Sequence, residues 1–317
     1  MNYLDFLQEL QENISNRFGS DYSVTTRKIL KNNSVELDGL MIKGPGACVI
    51  PSIYVNHLYP ELERGKSIDD IAELVLQIYN ESSKKFDGSK SVNLDDGEPE
   101  KRVIFRLVNY EKNKRLLEEM PHMRVENLAV IFCYLVSDDD EGIATIRITN
   151  ENLGVLKLCP KKLPQYAFEN TEKLLPYVFE DICSVLLKLA KVKGNGEALE
   201  ADCSESVRDS IEMAKDQMFV LSNTKGINGA ACLLYRGVLD EIYKKIGRFY
   251  ILPSSVNEVI LLPKNENTDY NSLYKMVPQI NREQVEDCEV LSDMVYSYPE
   301  DSFRLSELIY KCERCEF

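Results

Sequence analysis

Near the N-terminus Leu7, Leu10, Ile14 and Phe18 fall three or four positions apart, with Asp5, Glu9 and Glu12 between them. That spacing predicts an amphipathic helix over residues 2–18. Alternating runs at 23–30 and 35–42 predict two strands, and Lys31-Asn32-Asn33-Ser34 supplies the turn of a hairpin. Gly44-Pro45-Gly46 closes that unit. A helix is predicted over 52–63, and Ser67 opens another whose apolar positions are Ile71, Leu74, Val75 and Ile78. Residues 82–100, rich in Lys, Ser, Asp and Gly, read as a linker or long exposed loop.

Beyond the linker the pattern predicts a strand at 103–108, a helix at 111–120, and strands at 125–136 and 143–149 joined by the acidic turn 137–142. Far downstream a strand at 218–221, a helix at 229–246 and strands at 249–252 and 256–262 repeat the order. The recurrence fits an internal duplication, and it fits an order that returns by chance in α+β proteins. Between the two stretches lie helices at 163–174 and 178–191 and a connection at 193–196; helices at 270–277 and 302–311 follow the second. The fold class expected is α+β, with mixed or antiparallel sheets, flanking helices and two similar βαββ-type units. Three parts are expected: residues 1–90, 91–200 and 201–317.

Composition narrows the partners. The chain has 317 residues with 38 Lys and Arg against 52 Asp and Glu, a net charge of −14. A hydrophobic share of 44% excludes wholesale disorder. The acidic balance argues against nucleic acid and anionic membrane as partners, since both are gripped by clustered Lys and Arg. The longest apolar run, residues 128–136, is about half of a membrane span. Residues 1–6 carry no readable signal peptide. The nine cysteines, at 48, 133, 159, 183, 203, 232, 288, 312 and 315, are scattered and odd in number. They point to reduced thiols and a cytoplasmic location.

Chemical motifs are sparse. Cys312 and Cys315 form one C-x-x-C pair, and four-coordinate zinc needs a second pair that the chain lacks. The two histidines, His57 and His122, leave few general bases; His57 reads as a partly buried structural residue and His122 as a turn residue. Pairing His122 with Cys133 as base and nucleophile is weakened by the apolar run around the thiol. The acidic turn 138–141 fails the calcium-loop template, and the common phosphate-loop, dinucleotide, serine-hydrolase and zinc-protease signatures are missing. No cofactor is expected. What remains is polar residues at the ends of apolar elements: Asn109, Tyr110, His122, Asn223, Ser254, Ser255 and Asn257. Such positions acquire ligand contacts in mixed sheets, and they equally cap helices and close turns.

Several stretches together carry a resemblance. They are Leu40-Met41-Ile42 with Pro51-Ser52-Ile53-Tyr54, and Val108-Asn109-Tyr110-Glu111-Lys112-Asn113 with Met120-Pro121-His122. Asn223-Thr224 with Gly229-Ala230-Ala231, residues 250–256 and residues 291–296 complete them. The chain resembles, over most of its length, bacterial proteins of this size that are common in anaerobic clostridia and grouped as a domain of unknown function. The family pattern favours Pro where Arg236 stands and His where Asn257 stands; if a histidine at that second place does acid/base work, this chain has lost it. Residues 219–263 bear a looser likeness to another uncharacterised bacterial family.

Two functions are in view. One is a binding or interaction module with an acidic surface and a partner protein that presents a basic face. A nucleic-acid mimic fits less well, because the acidic residues are interleaved with basic ones. The other is an enzyme of unassigned class with a polar pocket at the strand ends.

Overall fold

The computed structural model describes residues 1–46, 50, 52–85, 97–139, 142–185, 188, 218–265 and 270–299. Most of the predicted linker, the connection 193–196, the helix 302–311 and the pair Cys312 and Cys315 lie outside the described residues. The chain divides into two compact units, residues 1–97 and 98–317.

The first unit opens with α1 (Tyr3–Phe18), whose N-terminus is capped by the Asn2 side chain accepting from the Asp5 N–H. Of its predicted stripe Leu10 and Ile14 are buried and Leu7 and Phe18 partly so, and Phe6, outside that stripe, is buried with them. β1 (Ser23–Leu30) and β2 (Glu36–Lys43) pair antiparallel from Ser23↔Lys43 to Leu30↔Glu36. The predicted turn joins them, with Asn33 in the left-handed region at φ 60°. The helix predicted over 52–63 divides. Residues Ser52–Tyr54 are β3, paired with β2, and only Tyr59–Glu63 form a short helix, α2. Ile53 and Val55 reach the core by strand alternation, and β3 satisfies a β2 edge that a helix would leave unpaired. His57, expected to be partly buried, stands exposed in the 3₁₀ turn before α2. α3 (Ile68–Lys85) begins with a reciprocal cap: Ser67 Oγ accepts from the Asp70 N–H at 3.1 Å, and Asp70 Oδ2 from the Ser67 N–H at 3.0 Å.

In the second unit, β4 (Val103–Asn109) is followed by α4 (Lys114–Leu117), β5 (His122–Val125), β6 (Leu128–Asp139) and β7 (Gly142–Arg147). β6 pairs antiparallel with β4 on one side and with β5, then β7, on the other. After α5 (Leu163–Leu174) the chain builds a second antiparallel sheet. Its strands are β8 (Tyr177–Asp181), β9 (Phe219–Asn223), β10 (Phe249–Leu252), β11 (Val259–Pro263) and β12 (Tyr296–Tyr298), in the order β12-β10-β11-β9-β8. α6 (Val238–Ile246) lies between β9 and β10, and α7 (Tyr270–Gln284) between β11 and β12. The fold is α+β with three antiparallel sheets among the described residues.

The repeated order of elements is a repeated topology. β4, β5 and β6 stand as β9, β10 and β11 do: the last strand of each trio lies between the other two. The matching of the copies differs from the expected one. The run 125–136 is not one strand, because Glu126, at φ 54°, and Asn127 turn the chain between β5 and β6. β7 therefore falls outside the repeat. Two predicted helices also change. Residues 229–246 break at Gly237, φ 75°, into a 3₁₀ segment and α6. Residues 177–181 of the stretch predicted as helical are strand β8, whose Asp181 caps the helical residues that follow by accepting from the Ser184 N–H.

β4 is an edge strand buried at every position but the half-buried Arg106, and α5 covers it. Thr171 Oγ1 accepts the Phe105 N–H at 3.0 Å, and Asn170 Nδ2 donates to the Val103 carbonyl at 3.0 Å. Side chains thus complete a ladder that would otherwise be open. The ring of Phe105 packs on Phe168 with centroids 4.6 Å apart.

Candidate functional site

Each βαββ unit ends its first strand on a buried asparagine, and both asparagines hold backbone. Asn109 Oδ1 accepts the Lys112 N–H while Nδ2 donates to the Leu291 carbonyl at 2.9 Å. Asn223 Oδ1 accepts the Lys225 N–H while Nδ2 donates to the Ile227 carbonyl at 2.8 Å. The amide has the donor and acceptor that a turn leaving a strand exposes. Asn113, also buried, donates back to the Asn109 carbonyl.

Around Asn223 the turn is tight. Ser222 Oγ donates to the Asn257 carbonyl at 2.7 Å, and Asn257 Oδ1 accepts the Asn228 N–H at 3.1 Å. Gly229 sits where a Cβ would lie 2.1 Å from Ser222 Oγ and 2.4 Å from the Asn257 carbonyl oxygen, so only glycine fits. Asn257 Nδ2 donates to Glu289 Oε1, and its N–H to Ser255 Oγ. One planar group supplies an acceptor and a donor, which a neutral imidazole would also supply. A histidine at this place could therefore serve the same two partners without acid/base work.

A strap of chain, residues 289–294, lies between the two sets of strand ends. The Ser254 carbonyl accepts the Leu291 N–H, the Pro253 carbonyl accepts the Ser292 N–H, and Ser255 bridges Val290. From the first βαββ unit, Asn109 reaches the Leu291 carbonyl and Asn127 Nδ2 donates to Ser292 Oγ at 2.7 Å. Tyr296 donates its hydroxyl to Asn127 Oδ1, and Asn281 of α7 donates to the Ser292 carbonyl and Asp293 Oδ1. Leu291 and Ser292 are fully buried. Burial pushes the Tyr296 hydroxyl up to about 12.

The seven residues marked by the sequence fall into three groups. Asn109, Ser254 and Ser255 gather on the strap; Asn223 and Asn257 hold the β9 turn and join the strap through Glu289. Tyr110 and His122 lie apart, with ring centroids 6.2 Å from each other. The Arg124 guanidinium lies 4.2 Å over the Tyr110 ring, and His122 Nδ1 is fixed at 2.9 Å from the Met120 carbonyl. Sequence reasoning missed Asn127, Asn281 and Ser292, whose partners stand far away in the chain. It also passed over the chemistry of Glu258, whose carboxyl is held above its usual range by burial, with the Glu289 charge adding and a hydrogen bond from Ser255 opposing.

Cys133 is buried at the β6 position opposite Ile104, and burial pushes the Cys232 thiol up to about 12, so neither is a ready nucleophile. Cys133, Cys159, Cys183, Cys232 and Cys288 are in no disulfide among the described residues. Among the described residues no group of three or more His, Cys, Asp or Glu is placed to hold a metal ion, and no helix is long and apolar enough to cross a membrane.

Compared with known sequences, residues 3–300 match a family described only as a family of unknown function, DUF5688. The chain belongs to DUF5688. No curated protein and no solved structure matches it. The DUF5688 match spans both βαββ units and the strap.

Proposed function

We propose that this DUF5688 chain is a binding and interaction module of the bacterial cytoplasm, whose acidic exterior meets a protein with a basic face. One observation carries this reading: the polar residues at the strand ends are engaged in holding the turns and the strap, which favours a scaffold over a catalytic cleft. The net charge of −14 would steer a basic partner toward such a scaffold. Cysteines in no disulfide among the described residues are in keeping with a reducing compartment. Residues 1–90, 91–200 and 201–317 are proposed as its functional parts, the latter two each supplying one βαββ unit.

The test is affinity capture from native lysate at low and at physiological salt. Lysine- and arginine-rich partners held at low salt and released at higher salt are expected; capture with no salt-sensitive partner would contradict the reading.

A second reading, an enzyme of unassigned class, is favoured by Glu258. A carboxyl raised by burial, beside Ser255 and Glu289, is the kind of group that serves as a general acid or base. Loss of a measured turnover in Glu258→Gln with the fold intact would favour it over the binding reading.

A further inference from the structure

The three-stranded sheet of the first unit gives one face to its core. Val24, Leu40, Ile42 and Ile53 lie in one cluster with Leu10 and Ile14 of α1 and Ile71 of α3. The alternate strand positions share the opposite face. There Thr25 pairs with Met41 and Met41 with Ser52, Arg27 pairs with Gly39 and Gly39 with Tyr54, and Ile29 pairs with Leu37. Ile29, Leu37, Met41 and Tyr54 are half-buried and stand outside the cluster beneath the helices.

The cations of this unit sort by place. Lys28, on the core side of β1, pairs with Glu36 at 3.7 Å; Arg17 of α1 holds Asp69 at 2.9 Å; Arg64 and Lys66 both reach Glu61. Arg27 and Lys43, exposed on the opposite face, have no ion pair among the described residues. Lys31 Nζ lies 4.2 Å over the Tyr54 ring. No strand position on that face holds Asp or Glu. In a chain with 52 acidic residues against 38 basic ones, cations gathered without a carboxylate are a departure.

The register fixes their spacing. Lys43 pairs with Ser23, and Arg27 follows Ser23 by four residues, which is about 13 Å along the strands. The same distance separates residues i and i+4 of an extended chain, whose i+2 side chain points the same way. Thr25 and Met41 form the row midway between the two cations. Beyond it Ile29 leans over Gly39, where a Cβ would stand 2.4 Å from Ile29 Cδ1, and so keeps the middle of the face apolar.

We propose that this face docks an extended acidic segment of a partner protein. Two of the segment's carboxylates, four residues apart, meet Lys43 and Arg27, and an apolar side chain between them rests on Met41. The guanidinium fork of Arg27 matches a carboxylate in a bidentate arrangement. Single-stranded nucleic acid needs successive rings on which bases stack, and this face has one ring, already covered by Lys31. Both cations are exposed, so the contact is weak and salt-sensitive. The proposed docking of a basic partner on the acidic exterior stands or falls separately, since that partner has the opposite charge.

The test is a backbone-amide chemical-shift titration of the full chain with a short synthetic peptide carrying two glutamates four positions apart and a leucine midway. The same peptide with lysines for glutamates, and a thymidine oligonucleotide, serve as comparisons. Saturable shifts centred on residues 25–29, 37–43 and 54 are expected with the glutamate peptide, weakening from low to physiological salt. Arg27→Glu combined with Lys43→Glu is expected to lose at least tenfold in affinity with an unchanged unfolding midpoint. If that variant fails to fold, Arg27→Gln with Lys43→Gln is expected to show the same loss. Absence of saturable shifts, equal shifts with the lysine peptide, tighter binding of the oligonucleotide, or unchanged affinity in either folded variant would overturn the proposal.

Discussion

The two βαββ units of the second region share a strand order and differ in their hairpins and in one residue of their first strands. Both place a buried asparagine at the end of that strand, bonded on both sides of its amide. The first unit turns its hairpin in two residues, Glu126 and Asn127; the second takes residues 253–258, and this longer loop carries the edge that receives the strap. Three positions before the asparagine, the first unit has Arg106 and the second has Val220, which is only 8% exposed. What recurs is thus what the topology requires, and Arg106 is a departure that the topology does not require. The asparagines, which looked like ligand contacts in the sequence, belong to the recurring part.

The comparison can be broken at several points. The largest effect is expected at Gly229, where an added Cβ would press on a backbone carbonyl that cannot retreat. Gly229→Ala should lower stability by about 3 kcal/mol in urea unfolding; a change close to zero would mean that the β9 turn is looser than its geometry. Next come the asparagines. Asn109→Ala strands the buried Leu291 carbonyl and detaches the strap, so a loss of about 2–3 kcal/mol is expected. Asn223→Ala breaks contacts within its own turn, and about half that loss is expected. Equal losses would remove the distinction drawn between a local turn and a clamp across units.

A smaller effect is expected at Asn257→His, which keeps one acceptor and one donor for Asn228 and Glu289. Its unfolding midpoint should stay within about 1 kcal/mol of the parent, whereas Asn257→Leu should fall further. Glu258→Gln probes the same corner through pH. Burial raises the Glu258 carboxyl, so the folded state binds its proton more tightly than the unfolded chain does. The parent's contribution is therefore favourable at low pH and is lost as pH rises through the folded value. Thermal midpoints from mildly acidic to neutral pH should show the Gln variant gaining over the parent as pH rises, with no gain below the usual carboxylate range.

The sequence made much of this legible. The stripe of α1, the Ser67 cap and the β1–β2 turn are local features, and each stands where its pattern places it. The order of the second βαββ unit was readable for the same reason, while the first was matched to the wrong strands. The strand β3 and the strand β8 were misread as helix because their pairing partners lie far away, and an open sheet edge outweighs a short apolar run. The split between β5 and β6 was hidden because Glu126-Asn127 lacks the glycine that usually marks a two-residue hairpin. At the strand ends the residue types alone leave the role open, since an amide that caps a turn and one that binds a ligand look alike in sequence. Arg106 gave no signal, because an arginine inside a strand is read as solvent-facing until its neighbours are known.

The central claim is that the strand-end asparagines serve the fold while Arg106 does not. Urea unfolding of Arg106→Val, which installs the residue found at the matching place of the second unit, tests it most directly. Stability within about 0.5 kcal/mol of the parent or above it is expected, since an unpaired buried donor is removed. A stability loss as large as that of Asn109→Ala would contradict it.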